Sequence, residues 1–95
     1  MYIDLNKHYT LYSINLILNL KSDTVWPLRD DVVEFVEDLK RLQYVIWADY
    51  RSGDMSKCNK GQTAVIIEIK VSEVKESILK DEVNELINVH LKGYL

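Results

Sequence analysis

Cysteine, proline and glycine are all scarce in this sequence, with one, one and three copies in 95 residues. A lone cysteine, Cys58, cannot close an internal disulfide. Small secreted domains ordinarily carry several, so a reducing, cytoplasmic setting is the expectation. With so few glycines there is no Gly-rich loop to cradle a phosphate, and no nucleophile elbow. One Cys and two distant histidines, His8 and His90, offer no zinc spacing. No catalytic constellation, metal or cofactor is therefore expected, and a hydrogen-bonded, structural His90 is the natural reading.

Long apolar runs are missing too. The most apolar stretch, Leu11 to Leu20, is interrupted by Ser13, Asn15 and Asn19. It falls far short of a membrane span. The opening MYIDLNKHYT lacks a basic segment followed by an apolar run, so no signal peptide is expected. Charge of one sign is also lacking: 15 acidic against 12 basic residues give a net −3. Nucleic-acid binders normally show a basic stripe, so nucleic acid is not the expected partner.

What is present is ordinary globular composition, 47% hydrophobic and 28% charged, sized for one domain over residues 1–95. Little alanine beside much Ile, Lys and Asn suits an AT-rich genome, bacterial or bacteriophage.

Tyr9 to Leu20 alternates with period two, which predicts a half-buried strand. Tyr12, Ile14, Leu16, Leu18 and Leu20 share one face, and Leu11, Ser13, Asn15, Ile17 and Asn19 the other. Met1 to Leu5 reads as an extended lead-in or a short strand. Ser22, Asp23 and Thr24 are candidate caps for a helix that Pro27 can enter. That helix is predicted over Leu28 to Leu42, with Leu28, Val32, Phe35, Val36, Leu39 and Leu42 as its stripe. Tyr44 to Tyr50 and Gln62 to Val71 read as strands joined by a polar loop, residues 51–61. Glu73 to Lys92 closes the chain as a helix capped by Ser72 and stopped at Gly93. Its stripe is Leu79, Val83, Leu86, Ile87, His90, Leu91 and Tyr94.

The order β-α-β-β-α predicts an α+β two-layer sandwich. Three antiparallel strands in the order 2-3-1 carry both helices on one face. In element order alone this resembles a ferredoxin-like or ACT-like fold lacking its last strand. The glycine-bearing turn of ACT domains is replaced here by KSDTVWPL.

Four surfaces follow. If Tyr44, Ile46, Ala48 and Tyr50 face the helices, then Val45, Trp47 and Asp49 face outward, beside Ile66, Ile17 and Leu11. A tryptophan among aliphatics on an uncovered face marks a partner-binding surface. A register slip of one residue would instead bury Trp47. The first strand keeps a free edge with no charge on it, which favours a homodimer through that edge or the open face. The alternative is that Met1 to Leu5 or the C-terminal tail covers the edge.

The loop holds Arg51, Lys57, Cys58 and Lys60. Basic neighbours either activate a thiol or hold a phosphate, but a solvated hairpin tip is the plainer reading. Asp30, Asp31, Glu34, Glu37 and Asp38 form an acidic face on the first long helix, expected to be solvated unless it meets a basic partner.

The expected function is a small interaction module docking to a protein partner, with an inhibitor or adaptor fitting its size. A small-molecule-sensing domain, as the ACT-like order implies, is one alternative. Nucleic-acid binding on the open sheet, in the manner of RRM domains, is another. Only Trp47 is read as an exposed sheet aromatic, with Lys70 as the nearby base.

Overall fold

A computed structural model describes residues 9–21 and 26–95. Met1 to Leu5, His8 and the candidate caps Ser22, Asp23 and Thr24 lie outside the described residues. The elements are β1 (Thr10–Asn19), α1 (Trp26–Lys40), β2 (Val45–Ser52), β3 (Gln62–Val71) and α2 (Glu76–His90). Single turns of 3-10 helix follow at Met55–Lys57 and Lys92–Tyr94. β3 lies between β1 and β2 and runs antiparallel to both, so the expected strand order holds.

The sheet and both helices share one core. Leu18, Ala48, Ile67, Ile69 and Val71 come from a single sheet face. Val32, Phe35, Val36 and Leu39 of α1 and Leu79 and Val83 of α2 pack onto them. Phe35, Leu39, Ile67 and Ile69 are wholly excluded from solvent. Truncating a side chain such as Phe35 to alanine costs about 3–5 kcal/mol in such a setting. The other sheet face has no covering layer among the described residues.

α1 ends two residues before the sequence pattern suggested. Its last turn tightens: the Arg41 and Leu42 amides donate to the Asp38 and Leu39 carbonyls. Leu42 still packs on the core. α2 starts at Glu76 rather than Glu73, and Ser72 is not its cap. The Ser72 amide and hydroxyl both donate to the Tyr44 carbonyl, which prolongs the β2–β3 pairing beyond Val71. Lys75 is the cap instead and makes no side-chain bond there.

The acidic face of α1 is only partly a solvated face. Asp30, Glu34 and Glu37 are exposed, but Asp31 and Asp38 turn toward the C-terminal elements. The Asp38 carboxylate lies 2.6 Å from His90 Nε2, while the Tyr94 hydroxyl donates to Asp31. The Phe35 ring meets the His90 imidazole edge to face, and the Lys21 ammonium sits 4.3 Å over the Tyr94 ring. Charged groups that looked like a solubilising surface thus join α1 to the end of α2. The sequence pattern conceals this because the partners lie over fifty residues away.

Candidate functional site

The open sheet face is built in rows set by register. Leu11 of β1, Lys70 of β3 and Trp47 of β2 form one row. Ser13, Glu68 and Asp49 form the next, followed by Asn15, Ile66 and Arg51. Ile17 and Ala64 stand beyond them. Leu11, Trp47 and Ile17 are exposed by 58%, 44% and 44%, and Ile66 is half-buried between its neighbours.

Val45 is the exception among the residues expected on this face. A β-bulge falls between Val45 and Trp47, so that Ile46 and Trp47 together oppose Lys70. The extra residue shifts parity: Val45 pairs with Val71 and packs on the core, and Ile46 turns outward at 49% exposure. The expected alternation holds at Tyr44 and from Trp47 onward, and is reversed at Val45 and Ile46. No residue type in YVIWADY announces the bulge. The result is an exchange, with Ile46 in place of Val45 beside Trp47 on this face.

Tyr9 adds to the same end of the face. It is 46% exposed, and the Lys70 ammonium lies 4.8 Å over its ring. In the adjoining rows Arg51 Nε donates to Glu68 Oε1 at 2.6 Å. An apolar end, Tyr9, Leu11, Ile46 and Trp47, therefore abuts a polar band.

At the opposite end Gly53 lies against the central strand. Its amide donates to the Ala64 carbonyl, and a Cβ built on it would stand 2.9 Å from the Ala64 Cβ. Glycine is required there by close approach. The 3-10 turn that follows is capped by Asp54, which accepts from the Ser56 amide and hydroxyl. Those bonds favour its ionised form and hold its carboxyl below the ordinary value.

The loop residues do not assemble into a reactive centre. Arg51 belongs to β2 and is engaged by Glu68. The Cys58 thiol is half-exposed and makes no hydrogen bond with Lys57 or Lys60, both exposed, among the described residues. No group of three or more His, Cys, Asp or Glu side chains is placed to hold a metal among the described residues. Nor is any described helix long and apolar enough to cross a membrane.

The two sheet edges differ in kind. The Gly53 amide points at β3, so alternation sends the amides of Ala48, Tyr50 and Ser52 outward from β2. The Tyr50 amide is already taken by the Asp49 carboxylate at 2.8 Å. On the far side, the Leu20 amide donates to the Gly61 carbonyl at 2.8 Å. Even-numbered residues of β1 therefore bond to β3. The backbone groups of Leu11, Ser13, Asn15, Ile17 and Asn19 point away from it, and no described strand pairs with them. Between this edge and α2 runs a groove of about 350 Å³, with Tyr12, Ile14, Leu79, Val83 and Ile87 in its walls.

The Tyr44 hydroxyl is buried without a hydrogen-bond partner among the described residues. Burial first, and the Glu82 carboxylate second, push its pKa above the ordinary tyrosine value. No protein-family model matches this chain, and no curated protein or solved structure matches it either.

Proposed function

We propose that this chain is a small interaction module that docks a protein partner on the Trp47 end of its open sheet face. The observation that carries the reading is the exposure of Leu11, Ile46 and Trp47, by 58%, 49% and 44%, on either side of Lys70 at one end of the face. Tyr9 stands alongside it. A patch of this kind bordered by a polar band has the anatomy of an interface, and tryptophan is among the side chains most often found at binding hot spots. The bulge keeps a large aliphatic side chain, Ile46 in place of Val45, outward beside Trp47.

The electrostatics of the face favour protein over nucleic acid. Asp49 and Glu68 lie in the row next to the patch, and Arg51 is spent on Glu68. A phosphate backbone laid across the sheet would meet acids where it needs bases. The module acts by binding rather than catalysis, and its size suits an inhibitor or adaptor of bacteriophage or bacterial origin. The unpaired Cys58 fits a cytoplasmic setting.

The test is affinity capture from cells with wild type and with Trp47→Ala, whose fold is first checked by circular dichroism. Wild type should recover a defined protein, and Trp47→Ala should lose it at least about tenfold, as removal of a hot-spot anchor does. Equal recovery by the folded variant overturns the assignment of the site. Retention on single-stranded nucleic acid, or a thermal shift with one amino acid or nucleotide, would replace the reading with a different class.

A further inference from the structure

Beyond the Trp47 face, we propose that the free edge of β1 is a self-association site, where a second copy of this chain pairs its own β1 antiparallel to make a continuous six-stranded sheet. The contrast between the two edges is the starting point. β2 is defended: a bulge distorts it, and Asp49 occupies the outward amide of Tyr50. β1 carries none of these devices. Its ten residues, TLYSINLILN, include no charge and no proline. Its outward donors and acceptors, on Leu11, Ser13, Asn15, Ile17 and Asn19, have no partner strand among the described residues.

The occupant is identified by self-complementarity. In an antiparallel pair related by a two-fold axis, the outward-pointing odd-numbered residues of one copy exchange bonds with the odd-numbered residues of the other. Parity is preserved, so the apolar even-numbered side chains of both strands lie on the helix side. Tyr12, Ile14 and Leu16 are only half-buried in the single chain, and Tyr12 and Ile14 line the strand wall of the groove under α2. The same side chains of the second copy would enter that groove from across the seam. Ser13 and Asn15 would meet their counterparts on the open face.

Charge supports a second copy over a charged foreign strand. Self-pairing of an uncharged strand sets no like charges opposite one another, although each chain carries net −3. The axis runs the two α2 helices antiparallel across the seam. The Glu76 and Lys80 side chains, paired with each other at 3.4 Å, line the α2 wall of the groove as a neutral couple.

The test combines sedimentation equilibrium with amide hydrogen exchange on the full chain. Wild type should sediment at twice the mass of one chain at high concentration. The Ser13, Asn15 and Ile17 amides should exchange roughly tenfold more slowly at high than at low concentration, as mass action on a dimer requires. Asn15→Pro removes an outward N–H without touching the β1–β3 ladder, so it should yield a folded monomer. Asn15→Lys should do the same by placing charge at the seam. Trp47→Ala should leave the dimer intact, which separates this site from the partner-docking face. A wild-type monomer at high concentration overturns the proposal. So do outward amides protected equally at all concentrations, the sign of coverage by the chain's own segment. So does a dimer that survives Asn15→Lys but falls to Trp47→Ala.

Discussion

The hydroxyl of Tyr94 donates to the carboxylate of Asp31 at 2.5 Å, tying the last turn of the chain to the first half of α1. Tyr94 is 2% exposed and its ring lies under the Lys21 ammonium. Tyr94→Phe keeps the ring and deletes the bond, so it should lower stability by about 1–2 kcal/mol in urea denaturation. Tyr94→Ala also empties the ring site and should cost about 3–5 kcal/mol. Equal stability of Tyr94→Phe and wild type would show that the bond adds nothing net.

The same bond makes stability depend on alkaline pH. The hydrogen bond to Asp31 first, then burial, push the Tyr94 pKa up to about 12. In the unfolded chain it sits near 10. The unfolded state therefore loses its proton first as pH rises. The Tyr94 contribution is full below about pH 10 and is lost progressively as pH climbs through about 12. Urea midpoints between pH 9 and 12 should fall more steeply for wild type than for Tyr94→Phe. Tyr44, also raised, contributes in the same direction in both proteins, so the difference isolates Tyr94.

The bulge in β2 makes neighbouring residues respond oppositely. Val45 packs on the core and Ile46 is 49% exposed. Val45→Asp should lower stability by about 2–3 kcal/mol, because it puts a carboxylate against apolar side chains. Ile46→Asp should stay within about 0.5 kcal/mol. A regular strand would give the reverse pattern, so thermal denaturation of the two variants decides the register.

Gly53 and Ala64 form a paired constraint. A methyl on Gly53 would crowd the Ala64 Cβ at 2.9 Å and its backbone carbonyl carbon at 3.2 Å. Gly53→Ala should cost about 1–3 kcal/mol, as overpacking does. Adding Ala64→Gly should recover part of that loss, and a double-mutant cycle measures the coupling.

The Arg51–Glu68 pair should matter much less to stability than its 2.6 Å length suggests, because the Arg51 side chain is 61% exposed. A double-mutant cycle should give about 0.5 kcal/mol, shrinking in high salt. A coupling several times larger would mean that the pair organises the open face.

Element order, strand order and the position of the core were all legible in the sequence. Each rests on periodicity: the even-numbered residues of β1, the odd-numbered residues of β3, and the three-four spacing from Val32 to Leu39. Trp47, Leu11 and Ile17 were placed on the open face by the same rule. Val45 and Ile46 were not, because a single inserted residue reverses parity without any change in composition. The Asp31 and Asp38 contacts were illegible for another reason. Acidic residues flanking a stripe look alike whether water or a distant Tyr94 or His90 completes them. The start of α2 is not legible either, because the distant Tyr44 carbonyl claims Ser72 before it can act as a cap.

The central position of β3 has a consequence for how the chain comes together. β1 and β2 are not hydrogen-bonded neighbours; among the described strands each pairs with β3, which follows both in sequence. Neither outer strand can be templated until residues 62–71 are available. On the ribosome the first sixty residues would present α1 and two unpaired strands. Sheet formation would then proceed as one late event closing loops from Thr10 to Val71 and from Ser52 to Val65. The longer of those closures should set the folding rate, with the short β2–β3 hairpin forming first and β1 docking onto it last.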